Sequence, residues 1–266
     1  MKKYEFTGES MTFHNKTLQR IRALISFGDV KAGDIGGWIE KEENLSHEGN
    51  AWVYDDAYVC DNAMVCGNAR VYDNALVGEY AKVCDNAEII DYAEIRCRAC
   101  VCDNATVCGH ACVSDNAKVG DRACVVGWAI VENNAKIYGD ARVHDRVCVY
   151  DNAEIYGKVG IYGDAKINDN AKIYNEVYLD EYAYICGDAE IGEQDSLFWI
   201  CNIGPEKETA TFFACKDKKI RAHCGYFFGT LDEFAAEVQK KYGEGRYAKI
   251  YRLAIELAKE KIKIRK

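Results

Sequence analysis

No run in these 266 residues approaches the ~18 consecutive apolar side chains that a membrane-spanning helix needs, so a helical membrane span is not expected. The opening MKKYEFTGES is polar and lacks an apolar core segment, which leaves no secretory leader to expect. Most of the fourteen cysteines follow a six-residue period, and the single CxxC spacing, Cys97 to Cys100, has no second pair to complete a knuckle, an argument against structural zinc or any other metal. Ten of them flank a recurring aliphatic position, where they read as small strand residues in a reducing cytoplasm. No Walker-type GxxxxGK loop is present, and no GxGxxG sits between a strand and a helix. The glycines from Gly28 to Gly37 therefore do not read as a phosphate cradle. Charge excludes a further class. Nineteen of the 34 Lys/Arg and 34 of the 43 Asp/Glu precede residue 205, a balance of −15 before a tail of +6. Such an acidic segment repels phosphate backbones, so nucleic acid along it is not expected, and the basic tail reads as a solvated helix surface.

What the chain has instead is a period. An aliphatic residue stands at every sixth position from Val53 to Ile191, twenty-four times without a slip. Two positions before each is Ala, except at Val147, Val159 and Val177. A fixed short period marks a solenoid, in which each repeat buries its apolar face only by stacking on its neighbours. In the unit Val149–Glu154, alternation puts Val149 and Ala153 inward and Tyr150 and Glu154 outward. Asp151-Asn152 makes the corner, and both residue types tolerate left-handed backbone. Three units close an eighteen-residue triangular coil, so 51–194 is expected to hold about eight coils. Residues 1–50 read as a β cap with strands at Tyr4–Phe6 and Thr17–Leu24, covering the terminal strand edges. Residues 195–266 read as a small α+β domain. Its strands are expected at Ser196–Ile203, Thr209–Cys215 and Ile220–Phe228, and its helices at Leu231–Tyr242 and Tyr247–Ile264. Thr230 with Glu233 forms a capping box for the first helix. Leu253, Ile255, Leu257 and Ile262 on the second are expected in its core.

Folding the repeat in eighteens stacks one corner as Asp56, Asn74, Tyr92, His110, Trp128, Arg146, Asp164 and Tyr182. The corner residue is elsewhere mostly Asn or Asp, but four middle coils carry Tyr, His, Trp and Arg. If those four adopt left-handed backbone, strain of up to ~1–2 kcal/mol each needs a compensating role. The flanking columns agree: Ile90, Cys108, Val126 and His144 on one side, and Glu94, Cys112, Ile130 and Cys148 on the other. Tyr92, His110, Trp128, Arg146, His144, Val126 and Ile130 are thus the expected interface and ligand residues. They fit either a homo-oligomer seam or a ligand site built at one, with Trp128 stacking on a ring and Arg146 and His110 meeting an anion. A second outward ladder, Tyr138, Tyr156 and Tyr174 above Cys66, Cys84 and Cys102, reads as a solvated sheet face.

The six-residue pattern resembles the hexapeptide repeat of left-handed parallel β-helices, and that resemblance supplies the left hand. The segments Gly28–Gly33, Gly36-Gly37-Trp38 and Ala51–Tyr54, with Thr209–Phe213 and Gly229–Phe234, are similar to acyltransferase-like proteins carried by bacteriophages and prophages. Acyltransferases of that kind are trimers that bind acyl-CoA between neighbouring prisms and use a His as general base. This chain has only His110 and His144 on the repeat, no loop extruded from 51–194, and no His-carboxylate motif to assign as catalytic. The expectation is a cytoplasmic, non-catalytic binding protein that needs no cofactor and closes as a trimer, the natural ring for a three-sided prism offering one patch to its neighbour. It would sequester a small anionic, nucleotide-like immune signal at clefts between subunits. CoA-dependent acyl transfer and a purely structural assembly role are the alternatives.

Overall fold

The computed structural model describes residues 2–264. The chain divides into two compact units, Met1–Asp145 and Arg146–Lys266. It is mainly β. Parallel solenoid turns occur in both units, about nine in all, and an antiparallel sheet with two helices follows them in the second.

In the first unit the hexads form two-residue rungs that pair at a strict eighteen-residue shift. Trp52-Val53 pairs with Arg70-Val71, then Glu88-Ile89, Thr106-Val107, Cys124-Val125 and Arg142-Val143. The other two faces repeat this from Tyr58-Val59 and from Met64-Val65. Every aliphatic of the period is at most 1% exposed, as are the small residues two positions before it. The expected inward set is therefore the observed one. The Ala positions keep room for the neighbouring aliphatic at native packing density.

The corner differs from its expected form by one residue. Left-handed backbone falls on the first corner residue, not the second: from Asp55 to Gly187 that slot has φ between 49° and 83° throughout. Asp dominates it, and the carboxylate explains why. Asp55 Oδ2 accepts from the Asp73 N–H at 3.4 Å, Asp73 from Asp91 at 3.2 Å, and Asp91 from Gly109 at 2.9 Å. Each corner thus ties the next coil to itself through a charge-assisted bond.

The N-terminal segment supplies more than a lid. Strands β1 (Tyr4–Phe13) and β2 (Lys16–Ala23) form a hairpin turning at His14 and Asn15, both with positive φ. Strand β3 (Ile35–Ile39) pairs antiparallel with β2 and parallel with the first rungs, setting Trp38 opposite Tyr58 and Ile39 opposite Val59. Leu45 bridges Val65. These partners lie twenty residues apart, not eighteen, so this additional turn has no place in the hexad count. Lys3 and Asn44 close the end. The buried Lys3 Nζ donates to the Ala51 carbonyl at 2.8 Å, and Asn44 Nδ2 to the Ala63 carbonyl at 2.8 Å. Burial brings the Lys3 ammonium down to about 8.

In the second unit the rungs continue with the same shift, for example Cys148-Val149 to Lys166-Ile167 to Tyr184-Ile185. The four-stranded antiparallel sheet takes strands Leu197–Ile203, Glu208–Ala214, Ile220–Cys224 and Phe227–Thr230 in chain order. The expected third strand is thus a hairpin broken at Gly225. The sheet meets the last rungs within this unit: Thr211 Oγ1 accepts from the Tyr184 N–H at 3.1 Å, and the His223 ring stacks on Tyr184 at 3.8 Å. Helix α1 (Leu231–Tyr242) starts on the Thr230–Glu233 capping box, and α2 spans Arg246–Lys261. The face that α2 buries carries Tyr251, Ala254, Ile255 and Ala258, with Ile262 just beyond the helix. Leu253 and Leu257, expected in the core, are 71% and 50% exposed. They lie off that stripe by the helical period.

Candidate functional site

The expected corner ladder exists in the first unit for its first three members. The Tyr92 and His110 rings stack at 5.0 Å and 6°, and the His110 and Trp128 rings at 4.0 Å and 8°. Their backbones are held by the coil-to-coil bonds Tyr92 N–H to Gly109 O (2.8 Å) and His110 N–H to Gly127 O (2.6 Å). Tyr92 is 55% and Trp128 61% exposed. Val126 and His144 are half-buried in the column beside them, and Ile130 is exposed on the other side. Burial lowers the His144 imidazole below its ordinary value, against the opposing pull of Asp145.

Arg146 belongs to the second unit. There its Nε and Nη2 grip Asp164 at 2.5 and 2.8 Å, which holds that carboxyl below the usual range. Its fork is engaged by a carboxylate one coil on, which weakens its expected role as an anion clamp. The expected backbone strain is also absent. None of Tyr92, His110, Trp128 and Arg146 has positive φ; the left-handed residues are their predecessors Asp91, Gly109, Gly127 and Asp145. Large rings at this position therefore cost the backbone nothing.

Stacking fixes what the ladder can do. His110 has a ring against each face, so a planar ligand cannot stack on it and meets only ring edges. Those edges are the positive side of the aromatic quadrupole and carry the imidazole and indole N–H donors. The acidic column also breaks beside the rings: Asp55, Asp73 and Asp91 are followed by Gly109 and Gly127 before Asp145 resumes. The surface so built suits an acceptor or anion better than a cation.

A second departure from the Asn pattern, absent from the expectations, stands at another corner of the first unit. Tyr80 is 62% exposed, with the Arg98 guanidinium 5.9 Å from its ring, beside an open hollow of about 510 Å³ reached by Glu79, Asp115 and Asn133. Reading the other two corners in eighteens, as the first was read, shows it. Two of the thiols are poor nucleophiles: burial pushes Cys108 to about 11 and Cys102 to about 12. Among the described residues one trio, Asp85, Cys102 and Asp103, brings possible ligand atoms within 4.8 Å of one another. Its members already bond to each other, Cys102 Sγ to Asp103 Oδ2 at 3.2 Å and Asp103 N–H to Asp85 Oδ2 at 3.4 Å. Among the described residues no helix is long and apolar enough to cross a membrane.

No known family pattern matches the chain. It is similar to a protein of Escherichia coli (strain K12) named "Uncharacterized acetyltransferase YdcK", with 41% identity over 63 residues, 21% of this chain. The matched part is 19% of that relative's length, so the likeness is to about a fifth of it. It accords with a hexapeptide-type repeat.

Proposed function

We propose that this protein acts by binding, with the Tyr92–His110–Trp128 ladder as its recognition surface and a small anionic, nucleotide-like molecule as its ligand. The observation that carries this reading is the alignment of three exposed rings where the acidic column is interrupted. A rigid stack loses little entropy on binding and presents N–H donors in a row. In this reading copies of the chain associate through the same surface as a homotrimer, the closure natural to a prism offering one patch heterologously. The ligand lodges at the seam, beside Val126, Ile130 and His144. A phage or prophage origin and a bacterial cytoplasm would suit capture of a host immune signal.

Native mass spectrometry of protein purified from cells, with light scattering on wild type and Trp128→Glu, tests the assembly. The expected result is a trimer with a co-purifying small molecule, and loss of both in the variant. Trp128→Ala should weaken association by about 2 kcal/mol or more if the indole is a buried anchor. A wild-type monomer that binds no member of a nucleotide panel in isothermal titration overturns the reading.

Acetyl transfer is the second reading, favoured by the name of the relative that shares the 63-residue stretch. Release of CoA from acetyl-CoA with a panel of amine and hydroxyl acceptors tests it. Turnover lost in His110→Ala or His144→Ala establishes it in place of the first.

A further inference from the structure

The second unit holds a hollow of about 280 Å³ between the antiparallel sheet and the two helices, remote in sequence from the solenoid corners. Four of its walls are rings from three elements, the last strand and the two helices. Phe227 lies 4.9 Å from Phe234 at 34°, Phe234 meets Tyr251 at 5.7 Å and 87°, and Tyr251 faces Tyr242 at 5.6 Å and 14°. The four rings border one space at parallel and perpendicular settings, and an aromatic face is electron-rich. Tyr226 stands fully exposed beside the opening.

The charged groups at this hollow are Glu208, Glu237 and Lys241. Residues 205–266 carry fifteen basic and nine acidic side chains, so two acidic residues bordering a ring-lined space run against the local trend. Lys241 shows what that combination attracts. Its ammonium lies 5.2 Å from the centre of the Tyr242 ring, and Tyr242, Glu208 and Glu206 together favour its charged form. Cys224, also on the wall, is held protonated by burial at about 12 and adds no competing charge.

We propose that this hollow is a binding site for an organic cation, a quaternary ammonium or methylated amine with a short apolar body, and that Lys241 is its intramolecular competitor. A methylated ammonium loses less hydration than a primary one on entering such a cage, and it gains cation–π contact with each ring it faces. The Glu208 carboxylate supplies the counter-charge, while Glu237 lies 3.5 Å from the Lys240 ammonium. The site is independent of the corner ladder, and neither proposal depends on the other.

Isothermal titration of the full chain with choline, tetramethylammonium and the neutral carbon isostere 3,3-dimethyl-1-butanol tests this. Choline should bind roughly tenfold more tightly than its isostere, the difference one or two cation–π contacts make. Lys241→Ala should tighten choline binding by vacating the cage, whereas Glu208→Gln and the exposed Tyr226→Ala should weaken it about threefold to tenfold. Thermal melts of each variant separate lost binding from lost folding, and Tyr226→Ala leaves the core untouched. Equal affinity for choline and its isostere overturns the proposal. So does the absence of cation binding in both wild type and Lys241→Ala, or weaker binding in Lys241→Ala.

Discussion

Two corners of the first unit share a backbone and differ in everything they show to solvent. At one, Asn50, Asn68, Asn86 and Asn104 pass amide hydrogen bonds from coil to coil at 3.0, 3.0 and 3.2 Å. At the other, the equivalent positions hold Tyr92, His110 and Trp128 stacked through their rings. The amide column satisfies itself: each carbonyl takes its neighbour's N–H, and little is left to offer a partner. The ring column covers its faces and leaves its edges outward. Because neither residue sits in left-handed backbone, the fold does not dictate which is used. A departure from Asn at this slot therefore reports on what the corner meets, not on how it turns.

The comparison breaks most severely if the rings turn out to support the coil beneath them. Ile89, fully buried in the coil that carries Tyr92, should cost about 3 kcal/mol as Ile89→Ala, by lost transfer energy and a residual cavity. Trp128→Ala, measured by urea denaturation of the dissociated chain, should cost well under ~1 kcal/mol, as exposed substitutions do. Comparable losses would make the ladder a structural element and remove its functional meaning.

Gly127 sharpens the contrast from the backbone side. Its φ is 79°, and an added Cβ would meet the Asp145 N and O at 3.0 Å. Gly127→Val should destabilise by about 2 kcal/mol, since a β-branched residue is strained there. Gly127→Asp should be nearly neutral, because Asp fills eleven equivalent slots. It would also restore the acidic column and weaken anion binding. A Gly127→Asp protein that binds its ligand unchanged would separate the ladder from the charge gap beside it.

A histidine stacked in a different setting gives the next effect. His110 is sandwiched at an exposed corner, whereas His223 is packed against Tyr184 with its Nδ1 buried and without a hydrogen-bond partner. Burial depresses His223 to about 4. Between that value and its unfolded value near 6.5 the unfolded chain binds more protons. Stability from the neutral ring is therefore present above about pH 6.5 and lost as pH falls toward 4. Partial exposure limits the loss to about 2 kcal/mol. Denaturant midpoints at pH 7.5 and 4.5 should diverge more in wild type than in His223→Gln. Equal shifts would place the acid sensitivity elsewhere.

The smallest effect belongs to the amide column. Asn86→Ala breaks two exposed side-chain bonds and should cost below ~1 kcal/mol by thermal melting. A larger loss would mean that the Asn column, more than the Asp column, binds coil to coil.

The inward face was legible because its cause is periodic: Val53 through Ile191 and the Ala positions repeat without interruption. The corner slot was misread by one because Asp and Asn stand side by side and both tolerate positive φ. The glycines held the missing signal, since Gly67, Gly109, Gly127, Gly139, Gly157, Gly163 and Gly187 all occupy the first corner slot and none occupies the second. The first turn escaped because its partners are twenty residues apart. The ring-lined hollow escaped because its walls come from three strands and two helices with no common spacing. Of the expected site, Tyr92, His110 and Trp128 could be found by folding the chain in eighteens. The engagement of Arg146 with Asp164 could not be weighed without side-chain geometry.

Lys3 carries one more consequence. A stack of parallel rungs has a bare end whose carbonyls invite the N–H groups of another stack, and two such ends joined repeatedly make a filament. Here the Ala51 carbonyl already receives the Lys3 ammonium, and the β1–β2 hairpin extends the adjoining face through β3. Seating another rung there would require a charged nitrogen to withdraw from a site it fills, with no replacement donor of equal strength. The first unit therefore has a definite beginning, and growth by end-to-end addition is blocked at that end by one buried amine.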